Sequence, residues 1–375
     1  MLCPNCKKAQ IQGEPLRGLL EVSIKGDLPK NWDSFDLLPV PREFFPKIPV
    51  GNTPLWSPER LRKITGYENL YLKDDTGEPT FSYKDRASFL VAAFCKQHGI
   101  TEVAVASTGN AAASMAGIGA GSGLSVTIFV PCSAPKAKLV QCLQYGARVF
   151  PVAGNYDDAF ALSLEYTSVT KSLSRNTAYN PLTIEGKKTA AIEIYCQLKK
   201  APDFVFIPTG DGVILAGIYK GFRDLKQFGL IDRIPRIVAV QSDGSPNLFN
   251  AIESGNFSNH LPSKTVADSI SVDVPSCGYL AVQNLREYDG ICITVPDESI
   301  LEAQLELSST VGLFCEPAAA AAYAGFLTAK NHFYIDNKAS VVLIITGSGL
   351  KDIDAASKII PKLPEPVNCL DDIEL

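Results

Sequence analysis

From Gly51 onward, short apolar runs alternate with longer stretches in which apolar positions return every three to four residues, the spacing of a helix face. Val103-Ala104-Val105-Ala106 predicts a strand, and an alanine-rich helix follows from near Asn110. Val126 to Val130 predicts a second strand, with a helix from Pro135 to Tyr145 that stops at Gly146. Ala147 to Val152 returns as a strand. A helix is expected over 186–199, another over 87–97, and strands at Phe204–Ile207, Arg236–Val240 and Val341–Ile345. Residues 1–47 are rich in proline and mixed polar residues with weak periodicity, and predict an irregular arm.

Apolar strands that alternate with helices imply parallel sheets covered on both faces. Right-handed crossovers then give doubly wound layers, with ligands at the carboxyl ends of the strands. A chain of 375 residues holds two to three folding units at about 150 residues each. It shows no internal repeat and no flexible linker. The expected class is therefore α/β, with two interwoven doubly wound domains whose sheets are mostly parallel and which share a cleft.

Composition narrows the function classes. The chain is 46% hydrophobic and 20% charged, with a formal net charge of −5. Lys and Arg are scattered rather than clustered with aromatic residues, which argues against nucleic acid as a partner. No apolar run of about 18 residues predicts a membrane span, and the first eight residues lack the apolar core of a signal peptide. The ten cysteines are dispersed, mostly in apolar stretches, as expected of free thiols in a reducing cytosol. Cys3-Pro4-Asn5-Cys6 offers half of a tetrahedral metal site, but the next cysteine is Cys95 and the nearest histidine is His98. A structural terminus without metal is the expectation.

Three glycine- and hydroxyl-rich loops follow predicted strands: Ser107-Thr108-Gly109-Asn110, Thr209-Gly210-Asp211-Gly212-Val213 and Thr346-Gly347-Ser348-Gly349. A helix amino terminus offers unpaired N–H groups and a positive dipole end, and glycine lets an anion approach the backbone. Together the three predict a cofactor cleft. A carboxylate beside a phosphate is repulsive, so Asp211 is expected to face away and cap the helix that follows. Lys84 opens a predicted helix, where a cation opposes the dipole. It is either a solvated lysine or an amine tuned by burial and neighbouring cations for imine formation.

Ser82-Tyr83-Lys84-Asp85-Arg86 resembles the Ser-Phe-Lys-Asp-Arg lysine motif of threonine synthases, which belong to the second fold type of pyridoxal 5′-phosphate (PLP) enzymes. Gly51-Asn52-Thr53-Pro54-Leu55 and Ala106 to Asn110 are similar to that family's segments too. So are Asn180-Pro181 with Glu185 to Thr189, Cys315 to Ala320, and Thr346 to Asp352, all in the same order.

The resemblance implies that Lys84 carries PLP as a Schiff base and then shuttles protons. It further implies that Asn110 meets the cofactor's phenolic oxygen, that Gly210, Asp211, Gly212, Val213 and Ile214 cradle its phosphate, and that Thr346 meets its ring nitrogen. Ser107 and Thr108 would hold the substrate carboxylate, and Asn180 and Lys188 join the substrate set. The implied reaction turns O-phospho-L-homoserine and water into L-threonine and phosphate. Family members often carry Arg where Thr183 stands, which leaves the substrate's phosphate to Lys187, Lys188, Arg86 or Asn180.

The resemblance also divides the chain. It implies an arm over 1–47, a smaller domain over 81–185, a larger one over 48–80 plus 186–360, and a tail over 361–375. A cytoplasmic homodimer is the family expectation. The alternatives are a PLP-dependent serine or threonine dehydratase, a β-replacement enzyme similar to cysteate synthase, and a non-catalytic phosphate- or nucleotide-binding module.

Overall fold

The computed structural model describes residues 1–257, 262–332, 335–360, 363, 366 and 367. Its strands, in chain order, are β1 (Leu55–Trp56), β2 (Leu70–Asp74), β3 (Glu102–Ala106), β4 (Ser125–Pro131), β5 (Arg148–Val152), β6 (Leu173–Ser174), β7 (Phe204–Pro208), β8 (Arg236–Ser242), β9 (Ile291–Val295) and β10 (Val341–Ile345). One sheet runs β1-β2-β10-β7-β8-β9 and the other β5-β4-β3-β6. Every pairing is parallel except β1 with β2, so the fold is the expected α/β class.

The apolar run of β10 has its physical cause in helices on both sides. Val341, Leu343 and Ile345 pack toward the alanine-rich helix Pro317–His332, while Val342 and Ile344 pack toward the opposite face. All five are fully buried, and burial of each contributes roughly 1.5–3 kcal/mol. Small residues bring the first helix close: a Cβ on Gly325 would lie 2.4 Å from a Val240 methyl.

Several boundaries differ from the expectation. The helix expected over 87–97 begins three residues earlier, as Lys84–Gln97, which makes the lysine its first residue. The helix expected over 186–199 is two pieces, Leu182–Lys187 and Thr189–Leu198, broken at Lys188. The amino-terminal arm is irregular apart from short 3-10 turns, yet it is bound to the body. Leu37 joins one core cluster, Val40 and Phe45 another, and Trp32 stacks on Tyr195.

Cys3 and Cys6 converge on Gly18, and among the described residues no group of three or more metal-ligating side chains forms there. The tail expected over 361–375 lies outside the described residues except for 363, 366 and 367. Among the described residues no helix is long and apolar enough to cross a membrane.

Candidate active site

The segment before Lys84 is tied to the carboxyl end of β10. The Tyr83 N–H donates to the Thr346 carbonyl at 2.8 Å, the Ser348 N–H donates to the Phe81 carbonyl at 3.0 Å, and Ser82 bridges Gly347. On the other side, the two residues after Lys84 are buried in polar clamps. Asp85 accepts from the Thr80 N–H at 2.7 Å and hydroxyl at 2.5 Å. Arg86 lies on Asp75 and Glu193, each at 2.6 Å. The Gly51-Asn52-Thr53 segment belongs to this second clamp: the Asn52 N–H donates to Glu193, and the Thr53 hydroxyl to Asp75. The motif is thus a pair of anchors around one free amine. Among the described residues the Lys84 Nζ has no hydrogen-bond or ion-pair partner.

The loop after β3 opens the helix Asn110–Ser122. The Ser107 hydroxyl accepts from the Gly109 N–H at 3.2 Å. Asn110 is buried and donates from Nδ2 to Glu316 Oε2 at 3.0 Å and to Ser269 at 3.1 Å. Glu316 is a site residue that the pattern of the chain left without a role. Its carboxyl is pushed up by burial and held back partly by the charge of Lys84, and its Oε1 has no hydrogen-bond partner among the described residues. Gly347 makes room for it, since a Cβ there would fall 2.7 Å from Oε1. Its sequence signals were its place in the shared segment Cys315 to Ala320 and a Glu-Pro at a helix start.

The loop after β7 opens the 15-residue helix Val213–Gln227. Gly212 takes the left-handed φ of +84°, which favours glycine. Gly210 sits so close to the chain opposite that a Cβ would lie 2.8 Å from Ile270 Cα. Asp211 accepts from the Val213 N–H at 3.0 Å, the capping role expected of it. Among the described residues the backbone N–H groups of Ile214 and Leu215 in the first turn donate to no backbone carbonyl. Thr346 is buried at the end of β10, and its hydroxyl has no partner among the described residues.

These features fit a pyridine cofactor with a phosphate arm. A free amine stands at the mouth of strand ends, with an unpartnered hydroxyl on β10, an orphaned carboxylate oxygen and a glycine-turned helix amino terminus around it. The Ser82 hydroxyl, also buried and without a hydrogen-bond partner among the described residues, lies beside them.

The residues expected to hold the substrate's phosphate separate sharply. Thr183 is buried, donating to the Asn180 carbonyl at 2.7 Å and accepting from the Ala178 N–H. Asn180, expected in the substrate set, is instead a turn residue: Nδ2 donates to the Ser174 carbonyl and Oδ1 accepts from the Leu182 N–H. Lys188, also expected there, is instead buried against Glu185 at 2.5 Å and Asp224 at 2.7 Å. Arg86 is held in its clamp. Lys187 alone of these has no hydrogen-bond or ion-pair partner among the described residues.

The family described as pyridoxal-phosphate dependent enzyme matches residues 47–347. The chain is 37% identical over 333 residues to the threonine synthase of Methanosarcina acetivorans, covering 88% of this chain and 82% of that protein. It is 34% identical over 336 residues to the threonine synthase of Mycobacterium tuberculosis, covering 89% and 91%. Among solved structures, the processed threonine deaminase isoform 2 of Solanum lycopersicum superposes with a TM-score of 0.72 at 22% identity, covering 90% of this chain and 98% of that one. Maize serine racemase superposes at 0.71 and 20% identity, covering 83% and 92%.

Proposed function

This chain belongs to the pyridoxal-phosphate dependent enzymes, and from that premise we propose that it is a threonine synthase, converting O-phospho-L-homoserine and water to L-threonine and phosphate. The observation that carries the reading is the partnerless Lys84 amine at the head of its helix, in a chain similar over 88% of its length to a threonine synthase. PLP, when bound, supplies the electron sink that makes protons next to the substrate's amino-bearing carbon removable.

Lys84 holds the cofactor and moves protons at its Nζ, and its rigid anchors on both sides keep that atom in one place. The loop Gly210–Ile214 and the helix amino terminus receive the cofactor's phosphate. Thr346 offers a neutral hydroxyl to the ring, and Asn110, steered by Glu316 and Ser269, faces the same space. Ser107 and Thr108 hold the substrate carboxylate beside the first turn of their helix. The two sheets support a division into a smaller unit over 81–185 and a larger one over 48–80 plus 186–360. A cytosolic homodimer completes the proposal.

The test is direct. Incubating the cofactor-loaded protein with O-phospho-L-homoserine should release threonine and inorganic phosphate in equal amounts. Release of 2-oxobutanoate from threonine, with O-phospho-L-homoserine left untouched, would place the chain among the dehydratases instead.

A further inference from the structure

Two buried cations flank Lys84 without a carboxylate in contact. Lys187 is 1% exposed, and its Nζ has no hydrogen-bond or ion-pair partner among the described residues. Its backbone is pinned to the site, because the Tyr83 hydroxyl donates to the Lys187 carbonyl at 2.7 Å. Arg175 is fully buried just beyond β6. Among the described residues its donors reach only neutral oxygens: Thr177 at 2.8 Å, Ser88 at 3.3 Å and the Lys84 carbonyl at 3.5 Å.

A buried charge costs several kcal/mol unless it is paired. Elsewhere among the described residues the buried cations are paired, as Arg86, Lys73, Lys188 and Lys220 show. Arg175 and Lys187 feel the charge of Asp211, yet it lies beyond ion-pair contact with either. Two positioned, uncompensated cations beside the reacting amine are what a dianion would complete.

Building on the threonine synthase reading, we propose that Arg175 and Lys187 form the subsite for the phosphate monoester of the substrate. It takes over from position 183, where a threonine is consumed in closing a turn. Assignment to the substrate rather than to the cofactor rests on Arg175, since Lys187 packs against the helix Val213–Gln227 at Gly217. The cofactor's phosphate already has the glycine loop and the helix Val213–Gln227 on the six-stranded sheet. Arg175 belongs to the four-stranded sheet, whose loop at Ser107 and Thr108 faces the substrate.

Protonation fits the same picture. Burial lowers the Lys187 ammonium to about 7, aided by the charges of Arg175 and Lys84 and opposed by Asp211 and Cys277. Burial lowers the Arg175 guanidinium to about 10. A bound dianion favours the charged form of Lys187, so that side chain takes up a proton when a dianion binds near neutral pH.

The test uses the holoenzyme, its cofactor site filled, with inorganic phosphate as probe in titration calorimetry. Lys187→Gln and Arg175→Gln should each weaken inorganic phosphate binding and raise KM for O-phospho-L-homoserine by roughly 10- to 100-fold. Arg175→Lys should recover part of that loss. PLP affinity should stay within about twofold, and Lys187→Gln should remove the proton uptake that Lys187 contributes, leaving only the proton exchange of phosphate itself. The cofactor-free Lys187→Gln protein should melt no lower than the parent, because no protein contact is removed.

Unchanged phosphate affinity in both variants overturns the subsite. So does a loss of PLP affinity with phosphate binding intact, which would hand the pair to the cofactor. Phosphate binding that depends on both residues, in an enzyme inert toward O-phospho-L-homoserine, upholds the subsite and sinks the reaction.

Discussion

Replacing Arg86 by Met removes the centre of the clamp that follows the lysine. Arg86 is 2% exposed. It donates to both oxygens of Asp75 at 2.6 and 2.9 Å and to both oxygens of Glu193 at 2.6 and 3.0 Å. Methionine fills much of the space but leaves Asp75, Glu193 and the buried Glu78, which lies 3.7 Å from the same guanidinium, without that cation, while Lys73 stays on Glu193 at 2.6 Å. Removing one partner of such a buried pair destabilises by about 3–5 kcal/mol. At roughly 2.1 cal/mol/K of unfolding entropy per residue over 375 residues, that is a fall in melting temperature of about 4–6 °C.

The deficit should also depend on pH. Burial pushes the Glu193 carboxyl up, but Arg86 and Lys73 outweigh it and hold it at about 2 against an ordinary 4.5. A carboxyl depressed by folding adds stability that is complete above pH 4.5 and is lost as pH falls toward 2. That stability is on the order of 3 kcal/mol. In Arg86→Met the carboxyl rises, so the gap between the two proteins is widest near pH 7 and narrows below pH 4.5. Thermal unfolding of both cofactor-free proteins across that range measures it. A loss under about 1 kcal/mol, or a gap of constant size at every pH, would refute the clamp.

Two more predictions follow from neighbouring lysines. Lys84→Ala should reduce turnover by about 10³-fold or more and abolish visible absorbance after PLP loading, while borohydride reduction of the parent fixes the cofactor on Lys84. The cofactor-free forms should melt within about 1 °C of each other, since the amine touches no protein group, and a variant that keeps turning over would end the mechanism. Lys188→Met should lose about 3 kcal/mol of stability, because Glu185 and Asp224 would share only Lys220, yet leave KM for O-phospho-L-homoserine within about twofold. A large change in KM there would return Lys188 to the substrate set.

The layers were legible wherever packing on both sides of a sheet forces an uninterrupted apolar run, as in β10, β7 and the buried middle of β8. Two-residue strands such as β1 and β6 carry no periodicity to read. They exist because β2 and β3 offer an edge, which is a tertiary fact. The lysine motif and the three glycine loops could be read because their chemistry is local: a turn, a helix start, a small residue where a Cβ would collide. Glu316 and Arg175 could not. Their roles come from what stands opposite them across the cleft, 206 residues away for the Asn110–Glu316 bond.

Lys187 and Lys188 put the same limit in its smallest form. They are adjacent and chemically identical, and either reads as a partner for a phosphate. Successive residues near a helix point about 100° apart, so only one can face the cleft. Which one is decided by the helix Val213–Gln227. Gly217 presents no side chain there, and a Cβ on it would lie 2.7 Å from that of Lys187. Asp224, two turns further on, captures Lys188. The glycine therefore clears the path of one ammonium while the aspartate ties down the other. Gly217→Ala should accordingly push Lys187 out of register and weaken inorganic phosphate binding in the holoenzyme, by about tenfold for a lost charged contact, while the Lys188–Asp224 pair holds. Phosphate affinity equal to the parent's would show that the packing against Gly217 does not aim Lys187.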